Sequence, residues 1–158
     1  MKKIIVLSLC IAIAFASTAC GDKKETSSSS NTDTKKEEVK KDFSGKHSEK
    51  GKGKIFIVTP SGSSKNGKTP FIYVDENTAV TQISLEAIGI DGSKLSYIYI
   101  DGMENKKDQI GDYQGTLSLE GDALKKGKHK VELVQYDNDK PKGKIITYKS
   151  SMYEVKEK

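Results

Sequence analysis

The chain has 158 residues and a formal net charge of +5, and all 27 of its basic residues are lysine. This length suggests one domain with tails. Hydrophobic residues make up 34% of the chain and charged residues 31%, which is polar for a fully packed protein and predicts that part of it is unfolded. Because lysines and acids are interspersed and arginine is absent, we expect a solvated surface and no nucleic-acid partner.

The N-terminus has the organisation of an export signal. Lys2 and Lys3 form a short basic region, and residues 4–15 form an apolar run. As a helix this run would be about 18 Å long, against roughly 30 Å of membrane hydrocarbon. It is therefore too short to remain as a span and is typical of a secretory leader.

The leader ends in Ser17-Thr18-Ala19-Cys20, which resembles a bacterial lipobox, the signal read by lipoprotein signal peptidase. Ala19 and Cys20 match that pattern, whereas Ser17 replaces the favoured leucine. The resemblance implies cleavage before Cys20 and a thioether-linked diacylglyceryl group on its sulfur, so that the protein is held at the outer face of the cell membrane through this lipid. Two acyl chains anchor a protein stably where one does not. The alternative is ordinary secretion, since Ser17 and Ala19 also satisfy the small-x-small rule.

Residues 20–51 are predicted to be the lipidated cysteine and a disordered linker rich in Lys, Ser and Glu. Val39 and Phe43 are their only sizeable apolar residues, and so few cannot offset the entropy of ordering the backbone. Cys10 lies in the leader, so the mature chain has one cysteine and no internal disulfide.

Residues 52–158 are predicted to form an all-β domain of about seven strands. Short β-branched and aromatic runs alternate with Gly, Asp, Asn and Pro turns. Asp91-Gly92 turns the chain, and Asp101-Gly102 is a second strong hairpin signal. The predicted strands cover residues 54–59, 71–74, 80–90, 95–100, 115–120, 128–136 and 144–155.

This strand count and turn spacing are typical of an immunoglobulin-like antiparallel β-sandwich, with a small open β-barrel as the alternative. In addition, Leu124, Gly127 and Val131 are placed as in the Leu-x-x-Gly-x-Tyr-x-Val block of bacterial immunoglobulin-like domains, and His129 stands where that Tyr would be. The chain thus resembles bacterial, Gram-positive lipoproteins that carry such a domain without an assigned activity.

Few residues of the sequence are candidates for catalysis or metal binding. His129 is the single histidine of the predicted domain, and the ligand spacing of a zinc site and the elbow of a serine hydrolase are both absent. We therefore expect no catalytic residue, no cofactor and no metal site. Acidic loops could supply calcium ligands, but Asp and Asn are also the usual turn residues. These loop residues are Asp75, Glu76, Asn77, Asp91, Asp101, Asp137, Asn138 and Asp139.

The strand tyrosines form another candidate: Tyr97, Tyr99, Tyr136, Tyr148 and Tyr153. If Ile98, Ile100 and Tyr136 share an outward face, they would form an exposed apolar contact patch. The alternative is that both faces of these middle strands are covered.

The function that we expect is a non-catalytic binding module at the membrane, whose partner is a protein or a cell-envelope component. A carrier of a small ligand or of calcium is the second hypothesis. A wall-active enzyme is the third, and it would need carboxylates from Glu86, Asp101 or Asp112 to converge.

Overall fold

The computed structural model describes residues 42–158, which fold into two β-sheets. Two short 3₁₀ turns, Ser64–Asn66 and Gly121–Leu124, lie between strands. Within this part of the chain, no helix has the length and apolar character needed to cross a bilayer. The strands are β1 (Lys54–Thr59), β2 (Gly62–Ser63), β3 (Phe71–Val74), β4 (Val80–Ile88), β5 (Leu95–Ile100), β6 (Met103–Gln109), β7 (Tyr113–Glu120), β8 (Gly127–Tyr136) and β9 (Ile145–Glu157).

The two sheets share one core but not one hydrogen-bond ladder. The four-stranded sheet has the order β2-β1-β4-β7, and the five-stranded sheet has the order β3-β9-β8-β5-β6. All strand pairs are antiparallel except β3 with β9. The predicted immunoglobulin-like β-sandwich is thus confirmed, and the alternative of a small open barrel is wrong, because no ladder joins the sheets in residues 42–158.

The core between the sheets follows from residues that alternate along each strand. In β4, Ile83, Leu85 and Ala87 point inward while the residues between them are more exposed, as the period of two predicts. Aliphatic side chains of β1, β3, β5, β7 and β8 belong to the same core, together with Ile90, Ile110 and, from β9, Tyr153 and Val155. Each Å² of apolar surface that these side chains bury stabilises the fold by about 25 cal/mol, and this burial holds the two sheets together.

Strands β5 and β8 lie in the middle of the five-stranded sheet and are buried on both faces. Every residue of β5 after Leu95 is buried, and β8 is buried without interruption from Val131 to Tyr136. Such strands read as nearly continuous apolar runs, because neither face meets water. The tyrosines of these strands are therefore covered.

Two strands were not predicted. The edge strand β6 has the sequence MENKKDQ, which carries no apolar alternation, and it forms because Asp101 and Gly102 adopt φ values of 51° and 88° in a tight hairpin turn. Its charges suit an edge strand, since they discourage pairing with another chain. The other missed strand, β2, has only two residues. In contrast, Asp91-Gly92 makes no hairpin and instead leads from one sheet to the other.

Residues 42–51, here called the covering segment, belong to the domain rather than to the predicted linker. Phe43 is only 8% exposed, and Lys50 forms a β-bridge with Tyr148. The domain therefore begins before residue 52, where the sequence placed its boundary. The composition of residues 42–51 is that of a linker and does not show that Phe43 packs on an apolar surface of the domain. The rest of the predicted linker and the leader, residues 1–41, lie outside the described residues.

Candidate functional site

The outer face of the five-stranded sheet carries an aromatic cluster, and the covering segment lies on it. The cluster contains Phe43, Tyr97, Tyr99, Val134, Tyr136 and Tyr148. Of the two alternatives for Ile98, Ile100 and Tyr136, an exposed patch or strands covered on both faces, the structure has the second, since all three are buried. Ile98 and Ile100 face the core between the sheets, whereas Tyr136 faces outward, so the three do not share a face.

Ring stacking and backbone hydrogen bonds hold the covering segment in place. The Phe43 ring stacks on Tyr99 at 4.8 Å between centroids and on His47 at 4.6 Å. The Phe43 N–H donates to the Gly102 carbonyl at 2.9 Å, and the segment's other end exchanges two backbone hydrogen bonds with Tyr148. The segment is thus fixed at both ends, over the tyrosines that would otherwise meet water.

Burial under this segment changes the ionisation of the tyrosines. Burial, followed by neighbouring Tyr136, Glu104 and Tyr97, raises the pKa of Tyr99 well above its ordinary value. Burial also raises the pKa of Tyr136 and Tyr148. Because an ionised phenol loses hydration under such a cover, all three hydroxyl groups are held in the neutral form.

A cleft of about 850 Å³ lies where the covering segment meets one end of the sandwich. Its walls come from four places: the start of the covering segment, the turn between β5 and β6, the 3₁₀ turn after β7, and the first residues of β8. Apolar lining is provided by Phe43, Ile100, Met103 and Ala123, and the ionisable side chains are Asp101, Glu104, Glu120, Asp122, Lys125, Lys128, His129, Lys130 and Glu132.

His129 at this cleft is held by two hydrogen-bond acceptors. Its Nδ1 lies 2.6 Å from Asp101 Oδ2, and its Nε2 lies 2.6 Å from the carbonyl oxygen of Lys125. The ring also stacks on Tyr153 at 5.0 Å. A corner tyrosine bonds the backbone a few residues upstream, and His129 does the same to a carbonyl four residues before it. His129 therefore acts as the corner residue.

Asp101 completes this corner. Its Oδ1 accepts the Lys130 N–H at 2.8 Å, so one carboxylate fixes both the His129 ring and the β8 backbone. No serine hydroxyl contacts the His129 ring, and a nucleophile-base pair does not form there among the described residues.

Glu132 is an almost fully buried carboxylate, 4% exposed, beside the cleft. Its Oε1 accepts the Tyr148 hydroxyl at 2.6 Å and lies 2.6 Å from the Lys130 ammonium. Burial alone would lower the pKa of Lys130, but the hydrogen bonds to Glu132 and Tyr148 outweigh it and the pKa is raised. Both contacts use Glu132 Oε1.

The side-chain oxygens of the acidic loops accept hydrogen bonds from nearby residues and so stabilise the turns. Asp91 Oδ1 accepts the Ser93 N–H and hydroxyl, and these bonds lower the pKa of Asp91. Asp139 Oδ1 accepts the Leu95 N–H, which places this turn at the same end as Asp91. Within residues 42–158, no group of three His, Cys, Asp or Glu side chains could hold a metal ion. These residues act as turn formers.

The three carboxylates considered for an enzyme each have a separate structural partner. Glu86 pairs with Lys65, Asp101 with His129, and Asp112 Oδ1 accepts the Gly89 N–H at 2.6 Å. Each of the three carboxylates is thus engaged in a structural contact of its own. Cys20, the predicted lipidation site, lies outside the described residues.

Phe43 and the cleft carboxylates of Glu104, Glu120 and Glu132 were not singled out from the sequence. Phe43 did carry a signal, since it is one of two sizeable apolar residues in a polar stretch. The glutamates carried none, because charged residues on strands usually only face solvent.

No family model matches the chain, and no curated protein matches it. Among solved structures, fibronectin(III)-like modules of CbhA from Clostridium thermocellum are similar, with a TM-score of 0.35 and 19% identity, over 57% of this chain and 91% of that one.

Proposed function

We propose that this protein is a lipid-anchored binding module at the outer face of the cell membrane, non-catalytic, with a protein or cell-envelope component as its partner. The observation that carries the proposal is the cleft of about 850 Å³, which is open to solvent and whose buried ionisable groups are tied to structural partners. A surface of this kind suits recognition, since its buried ionisable groups, His129 and Glu132, are held by structural partners.

The anchor part of the proposal rests on the lipobox-like residues that end in Cys20. Replacing this cysteine, Cys20→Ser, is expected to abolish lipid attachment and cleavage by the lipoprotein peptidase. Ordinary cleavage after the small-x-small residues Ser17 and Ala19 should then release the protein from the membrane fraction to the medium. Cys10→Ser is the matched control, because it removes a thiol from the leader without touching the cleavage site. Equal membrane retention of both variants, with normal processing, contradicts the anchor.

The binding part is tested with a photo-crosslinking amino acid placed at the cleft. Met103 lines the cleft and is 37% exposed, and Val80 is 57% exposed on another strand, where it serves as the control position. Intact cells should give a discrete crosslinked product from position 103 that position 80 does not give. Identical products from both positions, or none from either, contradict a binding role for the cleft.

A further inference from the structure

We propose that the outer face of the five-stranded sheet is a peptide-binding site, which the chain's own Asp42 and Phe43 occupy. The partner that fits it is an extended segment of another protein in which an acidic residue directly precedes an aromatic one. The site is distinct from the binding function proposed above, because it depends on the covering segment and not on the charges of the cleft. The covering segment then acts as an internal competitor for the partner.

Three contacts define what the site recognises. The Asp42 carboxylate accepts the Glu104 N–H at 3.1 Å, and the Phe43 N–H donates to the Gly102 carbonyl at 2.9 Å. The Phe43 ring stacks on Tyr99 at 4.8 Å between centroids, with 17° between the ring planes. The two backbone groups lie at the start of β6, which is the edge strand of its sheet. Peptides are commonly bound in this way, through backbone groups at a sheet edge and a pocket for one side chain.

The Phe43 ring lies in a slot that is lined by other rings. Besides Tyr99, it stacks on His47 at 4.6 Å and on Tyr148 at 6.3 Å between centroids, and only 8% of Phe43 is exposed. Stacked rings attract one another through their faces and edges, and the attraction does not depend on which aromatic residue supplies the ring. A flat ring from another chain can therefore replace that of Phe43.

The covering segment can release this end while its other end stays attached. Lys50 exchanges two backbone hydrogen bonds with Tyr148, and its ammonium donates to the Ile145 carbonyl at 2.7 Å. Between the two ends, residues 44–48 make no hydrogen bond to either sheet within the described chain. Gly45 has a φ of 112°, and a glycine can leave this conformation for others at little steric cost. The end that carries Phe43 can thus swing away at this glycine.

The attachment of the covering segment sets what a partner must offer. A tethered segment has a high effective concentration at its own site, and the apparent affinity of a competitor falls with the fraction of chains whose site is open. A second copy of the chain brings only contacts that each chain already makes for itself. A segment of another protein gains an advantage when it also contacts the neighbouring tyrosines of the aromatic cluster, Tyr97 and Tyr136.

The test uses the full chain with Phe43→Ala, which empties the ring slot, and a fluorescent peptide with the sequence of residues 40–47, KKDFSGKH. Anisotropy should show binding to this variant and about tenfold weaker binding to the parent, because the parent's own ring occupies the slot. Ser44→Ala is the matched control and should bind the peptide as the parent does. Absence of binding to Phe43→Ala, or equal binding to all three chains, overturns the inference.

Two altered peptides test the recognised chemistry on the Phe43→Ala chain. The peptide with Ala in place of its Phe should not bind, and the peptide with Ala in place of its Asp should bind about threefold more weakly, as expected for one exposed hydrogen bond. In NMR titrations, the unaltered peptide should shift the amide signals of Tyr99, Gly102 and Glu104 most. Equal binding of the peptide that lacks Phe, or shifts confined to other strands, contradicts the site.

Sedimentation velocity of the parent chain decides between another protein and a second copy as the source of the segment. A monomer is expected, because each chain occupies its own site. A dimer that is lost in Phe43→Ala would assign the site to a second copy and overturn the proposed partner. The crosslinking experiment at position 103 uses the parent, in which this site is covered, so a failure of either test leaves the other proposal standing.

Discussion

The two faces of the five-stranded sheet are covered in different ways. Its inner face packs aliphatic side chains against a second sheet, whereas its outer face packs tyrosines under residues 42–51. The inner cover is a whole sheet with its own ladder, and the outer cover is one segment fixed mainly by Phe43 and by the bridge at Lys50. Stability should therefore depend mostly on the inner face, and the outer cover should open first.

The largest effect is expected for Leu133→Ala, at the centre of β8 and fully buried against the second sheet. The cavity should lower the free energy of unfolding by about 3 kcal/mol, measured by urea denaturation. A loss below about 1 kcal/mol would show that the core between the sheets is loosely packed. The inner face would then contribute no more to stability than the outer face.

A smaller loss is expected for His129→Phe, which keeps a ring beside Tyr153 but removes both hydrogen bonds. Asp101 and the Lys125 carbonyl lose their partner, which should cost about 2 kcal/mol in urea denaturation. His129→Asn keeps one donor and should recover part of this loss. If the Phe variant is as stable as the parent, the corner bonds do not contribute.

Phe43→Ala tests the outer cover. Because the segment can detach without unfolding the sheets, the loss should be about 1.5 kcal/mol, below the 3–5 kcal/mol typical of a buried Phe→Ala change. Proteolysis should cut near residues 42–50 much faster than in the parent. Ser44→Ala is the control at an exposed neighbour, and equal behaviour of the two variants would mean that the segment is not part of the fold.

The smallest expected effect is a loss of stability at high pH, to which a tyrosine on each face of the five-stranded sheet contributes. Burial raises the pKa of Tyr99 on the outer face and of Tyr153 on the inner face. Their ordinary value is 10, so the folded state keeps protons that the unfolded state loses above pH 10. The associated stability is complete below pH 10 and falls as the pH rises further.

Absorbance titration of the phenols in Phe43→Ala sharpens this test. Removing the cover should lower the pKa of Tyr99 towards 10 and leave that of Tyr153 raised, because Phe43 stacks on Tyr99, whereas Tyr153 lies in the core between the sheets. Unchanged titration of both tyrosines would show that the covering segment does not cause the burial of Tyr99.

Strands rich in β-branched and aromatic residues could be predicted from the sequence, whereas β2 and β6 could not. Residues 54–59, 71–74 and 95–100 were placed at their observed bounds, since β-branched and aromatic runs between turn residues carry a clear signal. β6 could not be found this way, because its pairing partner and hairpin turn hold it in the sheet rather than its own side chains. The cleft could not be predicted from the sequence either, because its walls come from four parts of the chain that only the fold brings together.

The covering segment has a mechanical consequence. Residue 42 joins the domain beside the hairpin of β5 and β6, where the Asp42 carboxylate accepts the Glu104 N–H and the Phe43 N–H donates to Gly102. A force applied to the chain before residue 42 acts first on these two hydrogen bonds. They should break at low force and let the segment extend up to the bridge at Lys50, while both sheets stay folded. Under tension from its N-terminal side, the described domain should therefore lengthen before either sheet unfolds.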